Sequence, residues 1–208
     1  MNGAMHFLHV VSALGLTAAF GAEAAGLIGL RRAASADEAL LWLRSRRWVL
    51  LIGPASIGLV LATGIYMTVA EWGADAWILV SLVSLVGLAS IGGVLTGVPM
   101  ARITSAVEQV SGPLPRELRR DLRSPLLMVS FMTRIAITIG IVFLMVQKPA
   151  LLTSVLTIIL AAAVGAAVGL ISGRRTPSAT AIGSAAAQRQ ARNAQLTRPG
   201  RTDANDTP

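Results

Sequence analysis

Four residues of the 208-residue chain carry chemistry that their apolar surroundings make expensive: His6, His9, Glu23 and Arg134. His6 and His9 are spaced i, i+3, so on a helix both imidazoles fall on one side and can approach one metal ion. Two ligands are fewer than zinc or copper takes. Met5, Tyr66, Met67, Glu71 and Asp75 lie toward the same end and can add to the set, the thioethers suiting Cu(I) and the carboxylates harder ions. For haem, His9 can fill one axial position, but two histidines of one helix cannot reach opposite faces of one macrocycle. A methionine or a second subunit would supply the other ligand. The plainer alternative is that both imidazoles hydrogen-bond headgroups or neighbouring helices.

Glu23 and Arg134 sit inside apolar runs, where a charge costs about 2.5–3.5 kcal/mol on insertion scales. Glu23 lies eight residues before Arg31, about 12 Å along a helix, and Arg134 ten residues beyond Ser124, about 15 Å from the same side. They reach similar depth from opposite chain directions, so the spacing predicts a buried Glu23–Arg134 ion pair. Ser130, Arg134 and Thr138 recur at spacing four and share a face that should point into a bundle. His9 and Glu23 fall about 40° apart around their helix. A proton or ion path between them is one reading; a packed face with one neutralised charge pair is the other.

Other chemistry is excluded by composition. Without cysteine there is no disulfide, thiolate metal site or thiol nucleophile, and two histidines allow no multi-histidine centre within one chain. No phosphate-binding loop, nucleophile elbow or paired-histidine zinc helix occurs. The net charge of +8 and a pI near 11.6 suggest nucleic acid at first sight. Yet the basic residues are almost all arginines, gathered between and after apolar runs where aromatics are scarce, a pattern that membrane topology explains without nucleic acid.

The elements that must position these groups follow from hydropathy. Hydrophobic residues make up 54% and charged residues 13%, with a mean hydropathy of +0.67. Five apolar stretches, at about 5–30, 48–70, 77–98, 126–146 and 151–171, each hold the roughly 20 residues that cross a bilayer as helix. The expected fold is all-α: a polytopic transmembrane bundle of about five helices over residues 1–173. The basic tail, 174–208, lacks apolar periodicity and is expected to be disordered. Arginines cluster at Arg31–Arg47, Arg102–Arg123 and in the tail, all on one side; Lys148 alone stands on the other. That asymmetry is expected to place the N-terminus outside and the C-terminus in the cytoplasm. Ala22-Glu23-Ala24 looks like a signal-peptidase site, but no Lys or Arg precedes the apolar run, so the first helix is expected to be retained.

Local signals refine the picture. Trp48, Trp72 and Trp77 fall at expected interfaces, and Pro54 after Gly53 is expected to kink the second span. Residues 100–110 read as a short interfacial helix within the 99–125 connection. Gly165, Gly169 and Gly173 repeat at spacing four; Gly93/Gly97 and Ala22/Gly26 do the same, giving faces for close helix packing or a homo-oligomer.

Leu8-His9-Val10 before a Gly/Ala-rich helix, Gly64-Ile65-Tyr66 closing the second span, Trp72 and Trp77 opening the third, and Pro99 and Arg102 closing it together resemble a family of small bacterial integral membrane proteins. That family is itself similar in helix pattern to the copper-resistance protein D family. The resemblance covers about residues 5–146 and implies a helical bundle with a histidine, here His9, near the outer face. A copper or haem role is implied only through the more distant relatives. The expected function is a structural or accessory membrane component; the alternative is binding or transport of copper, haem or protons through His6, His9 and the Glu23–Arg134 pair. No enzymatic activity is expected.

Overall fold

The computed structural model describes residues 3–73 and 75–174; the expected disordered tail beyond Arg174 lies outside the described residues. Among the described residues there is no β-strand. Five helical segments are each long and apolar enough to cross a membrane: Gly3–Arg32, Ala36–Glu71, Ala76–Glu108, Arg116–Gln147 and Leu151–Gly173.

Two antiparallel hairpins frame the bundle. The first joins α1 (Gly3–Arg32) to α2 (Ala36–Met67), which runs into a wider π-helical turn at Thr68–Trp72. The second joins α6 (Pro125–Gln147) to α7 (Leu151–Arg174) through Lys148, whose left-handed backbone (φ 48°) ends α6. Between them stands α3 (Ala76–Ile91), continued through a π-helical turn at Gly92–Gly97 into α4 (Val98–Glu108). A short α5 (Arg116–Leu122) leads back to α6.

Glycine sets the tightest contact. A Cβ at Gly165 would fall 2.7 Å from the Met132 carbonyl oxygen, one at Gly169 2.5 Å from Val129 Cα, and one at Gly173 2.9 Å from Pro125 Cβ. The glycine row of α7 is therefore used within the chain, letting its backbone lie against α6. A Cβ at Gly26 or Gly93 would meet nothing within 4 Å, so those faces stay open.

The distribution of side chains is the reverse of a water-soluble core. Val83 and Leu152 are more than 70% exposed, while Thr96, Ser130 and Ser154 are almost wholly buried. An apolar surface of this extent is stable where hydrocarbon replaces water, and the helices satisfy their own backbone.

Two boundaries and one side chain differ from expectation. α2 starts at Ala36 instead of 48, because Ser35 caps it: its hydroxyl accepts the Glu38 N–H at 3.3 Å while the Glu38 carboxylate accepts the Ala34 N–H at 2.8 Å. Arg44, Arg46 and Arg47 are thus helical. The segment at 100–110 is no separate interfacial helix; it is the end of the α3–α4 rod, since the π-helical turn carries the helix past Gly92-Gly93 and up to Pro99, which follows directly on that irregular turn. Trp77 is buried, with the Lys148 ammonium 5.8 Å from its ring, instead of lying in an exposed belt as Trp48 does.

The arginine-rich end is tied together across long sequence distances. Arg31 donates from Nη2 to the carbonyls of Arg123 and Gly173, both at 3.1 Å, and Arg123 Nε donates to the Arg31 carbonyl at 3.3 Å. Ala36 N–H bonds the Gly112 carbonyl at 2.9 Å, which fastens the α1–α2 turn to the segment before α5.

Candidate functional site

The polar centre of the bundle is assembled from α1, the π-helical turn and α6. α1 brings Phe20 and Glu23 to one face, one turn apart, and α6 does the same with Ser130, Phe131 and Arg134. Arg134 meets Glu23 in a two-pronged contact: Nη1 donates to Oε2 at 3.0 Å and Nη2 donates to Oε1. Both side chains are more than nine-tenths buried. Such fork-to-carboxylate pairing is the form in which a buried pair best offsets its desolvation. Thr96 lies beside the fork, 3.4 Å from Nη2, and shares a 2.8 Å hydrogen bond with Ser130. The guanidinium carbon sits 5.7 Å from the centre of the Phe20 ring, which in turn packs edge-on to Phe131. Thr138 turns its hydroxyl back onto the Arg134 carbonyl at 2.9 Å.

Gly92 makes room for this arrangement, since a Cβ there would lie 3.3 Å from Arg134 Nη1. The π-helical turn that starts at Gly92 widens the helix just where the guanidinium passes. A chamber of about 380 Å³ opens next to the pair. Glu23, Arg134, Thr96 and Arg46 line one part of it; Leu16, Ile57 and Leu88 line another. Arg46 is half-buried and lies within electrostatic reach of Glu23. Among the described residues the two ion pairs are Glu23–Arg134 and His6–Glu71, so Arg46 belongs to neither.

His6 and His9 occupy a second chamber, of about 270 Å³, at the opposite end of the bundle, with Ser81, Trp77 and Lys148. His9 Nδ1 is 2.8 Å from the Thr63 hydroxyl, and His6 Nε2 is 3.6 Å from the Glu71 carboxylate. The two chambers share no lining residue, and α1 buries Leu16, Ala19 and Phe20 between His9 and Glu23.

Among the described residues no group of three or more His, Asp or Glu side chains is placed to hold a metal ion. His6 and His9 project from one helix and their ring atoms face Glu71 and Thr63. Met67 and Met145 line the same chamber as the two imidazoles, and two histidines of one helix give haem no pair of opposed axial ligands.

Sequence reasoning left Arg46, Thr96, Phe20 and Gly92 out of the site. Arg46 carried a topological explanation already, and nothing in its spacing separates it from Arg44 and Arg47. Gly92-Gly93 was the one available signal, two adjacent glycines in an otherwise bulky span. Comparison with protein-family models, curated sequences and solved structures finds no significant match for this chain.

Proposed function

We propose that this is a bacterial inner-membrane protein that binds a small ligand in the chamber beside Glu23 and Arg134, with its N-terminus outside and its arginine-rich end in the cytoplasm. One observation carries the reading. Inside a bundle whose helices otherwise pack closely, a recess of about 380 Å³ beside three ionisable groups is left open toward the apolar outer surface by Gly53, Gly58, Gly92 and Gly93. That volume lies in the range of small-molecule sites, as does its mix of apolar walls and few polar groups. The Glu23–Arg134 pair supplies a fixed polar wall that no movement of side chains need rebuild.

The purified protein in mild detergent, analysed whole by native mass spectrometry, tests this. The natural sequence should retain a stoichiometric small molecule, and Gly58→Phe or Gly93→Phe, which fill the chamber from positions with open space, should lose it while melting within a few degrees of the parent. The same complement of bound molecules in all three proteins would overturn the reading and leave a structural or accessory role. Binding of copper or haem at His9, the role implied by the resemblance, has the less favourable donor set. It would be recognised in the same sample as a metal signal or Soret band that disappears in His9→Ala.

A further inference from the structure

The chamber's charge, shape and opening identify the class of molecule that fits it. We infer that the ligand is an anionic amphiphile with a single apolar chain, held by its carboxylate or phosphate head on Arg46 and admitted sideways from the bilayer between α2 and α3. This rests on the proposed binding role of the chamber and adds the ligand's chemistry to it.

Charge comes first. Three ionisable side chains line the chamber, Glu23, Arg134 and Arg46, and two of them neutralise each other through the two-pronged contact. The chamber thus carries a net charge of +1, and Arg46, which lies within electrostatic reach of Glu23 and Arg134, forms no ion-pair contact among the described residues. A guanidinium presents parallel N–H donors that match a carboxylate or phosphate, and in a setting of low dielectric it favours an anion over a neutral head.

Shape and depth agree with that choice. Arg46 stands at the arginine-rich end of the apolar part of α2, next to Trp48, which is 68% exposed in the manner of an interfacial indole. From Arg46 the chamber runs along α2 to Ile57, eleven residues on, about 16 Å at the helical rise. Its far end is apolar, closed by Leu16 and Leu88. An amphiphile standing in a bilayer leaflet already has its head at the level of Arg46 and its chain pointing toward Ile57, so it enters without turning over.

The mouth faces lipid. On α2 the lining residues Leu50, Pro54 and Gly58 are exposed, as are Ala89 on α3 and Gly93 in the π-helical turn that follows it, while Leu16, Phe20 and Leu88 behind them are buried. The lip is apolar and, at Gly58 and Gly93, carries no side chain to close it. A water-soluble anion would meet hydrocarbon at that opening; a membrane amphiphile arrives through it. The volume admits one chain, so a two-chain lipid would keep its second chain in the bilayer.

The full-length protein in nanodiscs of zwitterionic phosphatidylcholine provides the test, with melting temperature and native mass spectrometry as readouts. Oleate, oleyl phosphate and oleyl alcohol are titrated separately. Oleate or oleyl phosphate should bind saturably and raise the melting temperature, and the alcohol should bind at least tenfold more weakly. Whichever anion binds more tightly tells a fatty-acid source from a phospholipid source. Arg46→Gln should reduce anion affinity at least tenfold and bring it level with the alcohol, while Arg46→Lys should recover part of the difference. Because Arg46 is half-buried at the edge of the bundle, both variants should melt near the parent in the absence of ligand. Equal binding of oleate by the parent and Arg46→Gln would overturn the inference. So would a retained native molecule that is lost in Gly58→Phe yet carries no anionic group, and in that case the chamber would remain a binding site for another class. No retained molecule and no effect of filling would remove both.

Discussion

At the scale of single residues the bundle is governed by one carboxylate and one guanidinium that have no water to fall back on. Removing either partner leaves a buried charge, which typically costs about 3–5 kcal/mol. Glu23→Gln and Arg134→Gln should therefore each lower accumulation in membranes and the melting temperature sharply. The reversed pair, Glu23→Arg with Arg134→Glu, should recover part of what Glu23→Arg alone loses; no recovery in membrane accumulation would show that the two charges do not stabilise one another. Gly92 belongs to the same unit. A Cβ there meets the flexible end of Arg134 at 3.3 Å, so Gly92→Ala should be mild, whereas Gly92→Leu should displace the guanidinium and approach the loss seen in Arg134→Gln. The depth of Glu23 and Arg134 is arithmetic on the helical rise and is readable from sequence alone. The groups that ring them are not, because Phe20, Thr96 and Gly92 look like ordinary residues of apolar helices until the rotation of each helix is known.

Elements differ in how much they tolerate, and glycine separates them. Gly169→Ala forces a methyl group to within 2.5 Å of Val129 Cα on α6, an overpacking that should cost about 1–3 kcal/mol. Gly87→Ala on α3 meets nothing within 4 Å and should be neutral or stabilise by up to about 1 kcal/mol through helix propensity. Thermal melts of the two variants in the same detergent check the order. Ser35→Ala should remove the α2 cap at a cost of about 1 kcal/mol, with the loss of helix confined to the first turn of α2. The five apolar runs were legible because lipid demands length and hydrophobicity of every spanning helix, whatever its neighbours. The start of α2 was obscured by the arginines at 44–47, which read as loop charge, although Ser35-Ala36-Asp37-Glu38 carries the capping pattern. The glycine spacing of α7 was plain in the sequence, but spacing alone does not say whether α6 or a second copy lies against it.

For the whole molecule, the proposed orientation has a direct measurement. The chain contains no cysteine, so single cysteines can be introduced without background. Ala150→Cys, in the link between α6 and α7, should react with a membrane-impermeant maleimide on intact cells. Ser111→Cys, in the segment before α5, should react only after the membrane is opened. The opposite pattern would invert the topology and place Arg46 in the outer leaflet. Hydropathy carries the fold class and its five apolar helices; the two chambers arise from how the hairpins stand against α3, which no local pattern encodes.

The separation of Glu23 and Arg134 along the chain, 111 residues, also imposes an order in time. At roughly 5–20 residues per second, ribosomes deliver Glu23 some 5–20 s before its guanidinium exists. During that interval the only charges available to Glu23 are those of the segments made before α6. Of the arginines made in that interval, Arg46 is the one that lines the same chamber as Glu23 in the finished protein, and it emerges 23 residues later. Arg46 is therefore expected to face Glu23 until α6 arrives and Arg134 takes its place. Cells lacking this arginine should degrade the nascent chain more readily even where the finished protein is no less stable.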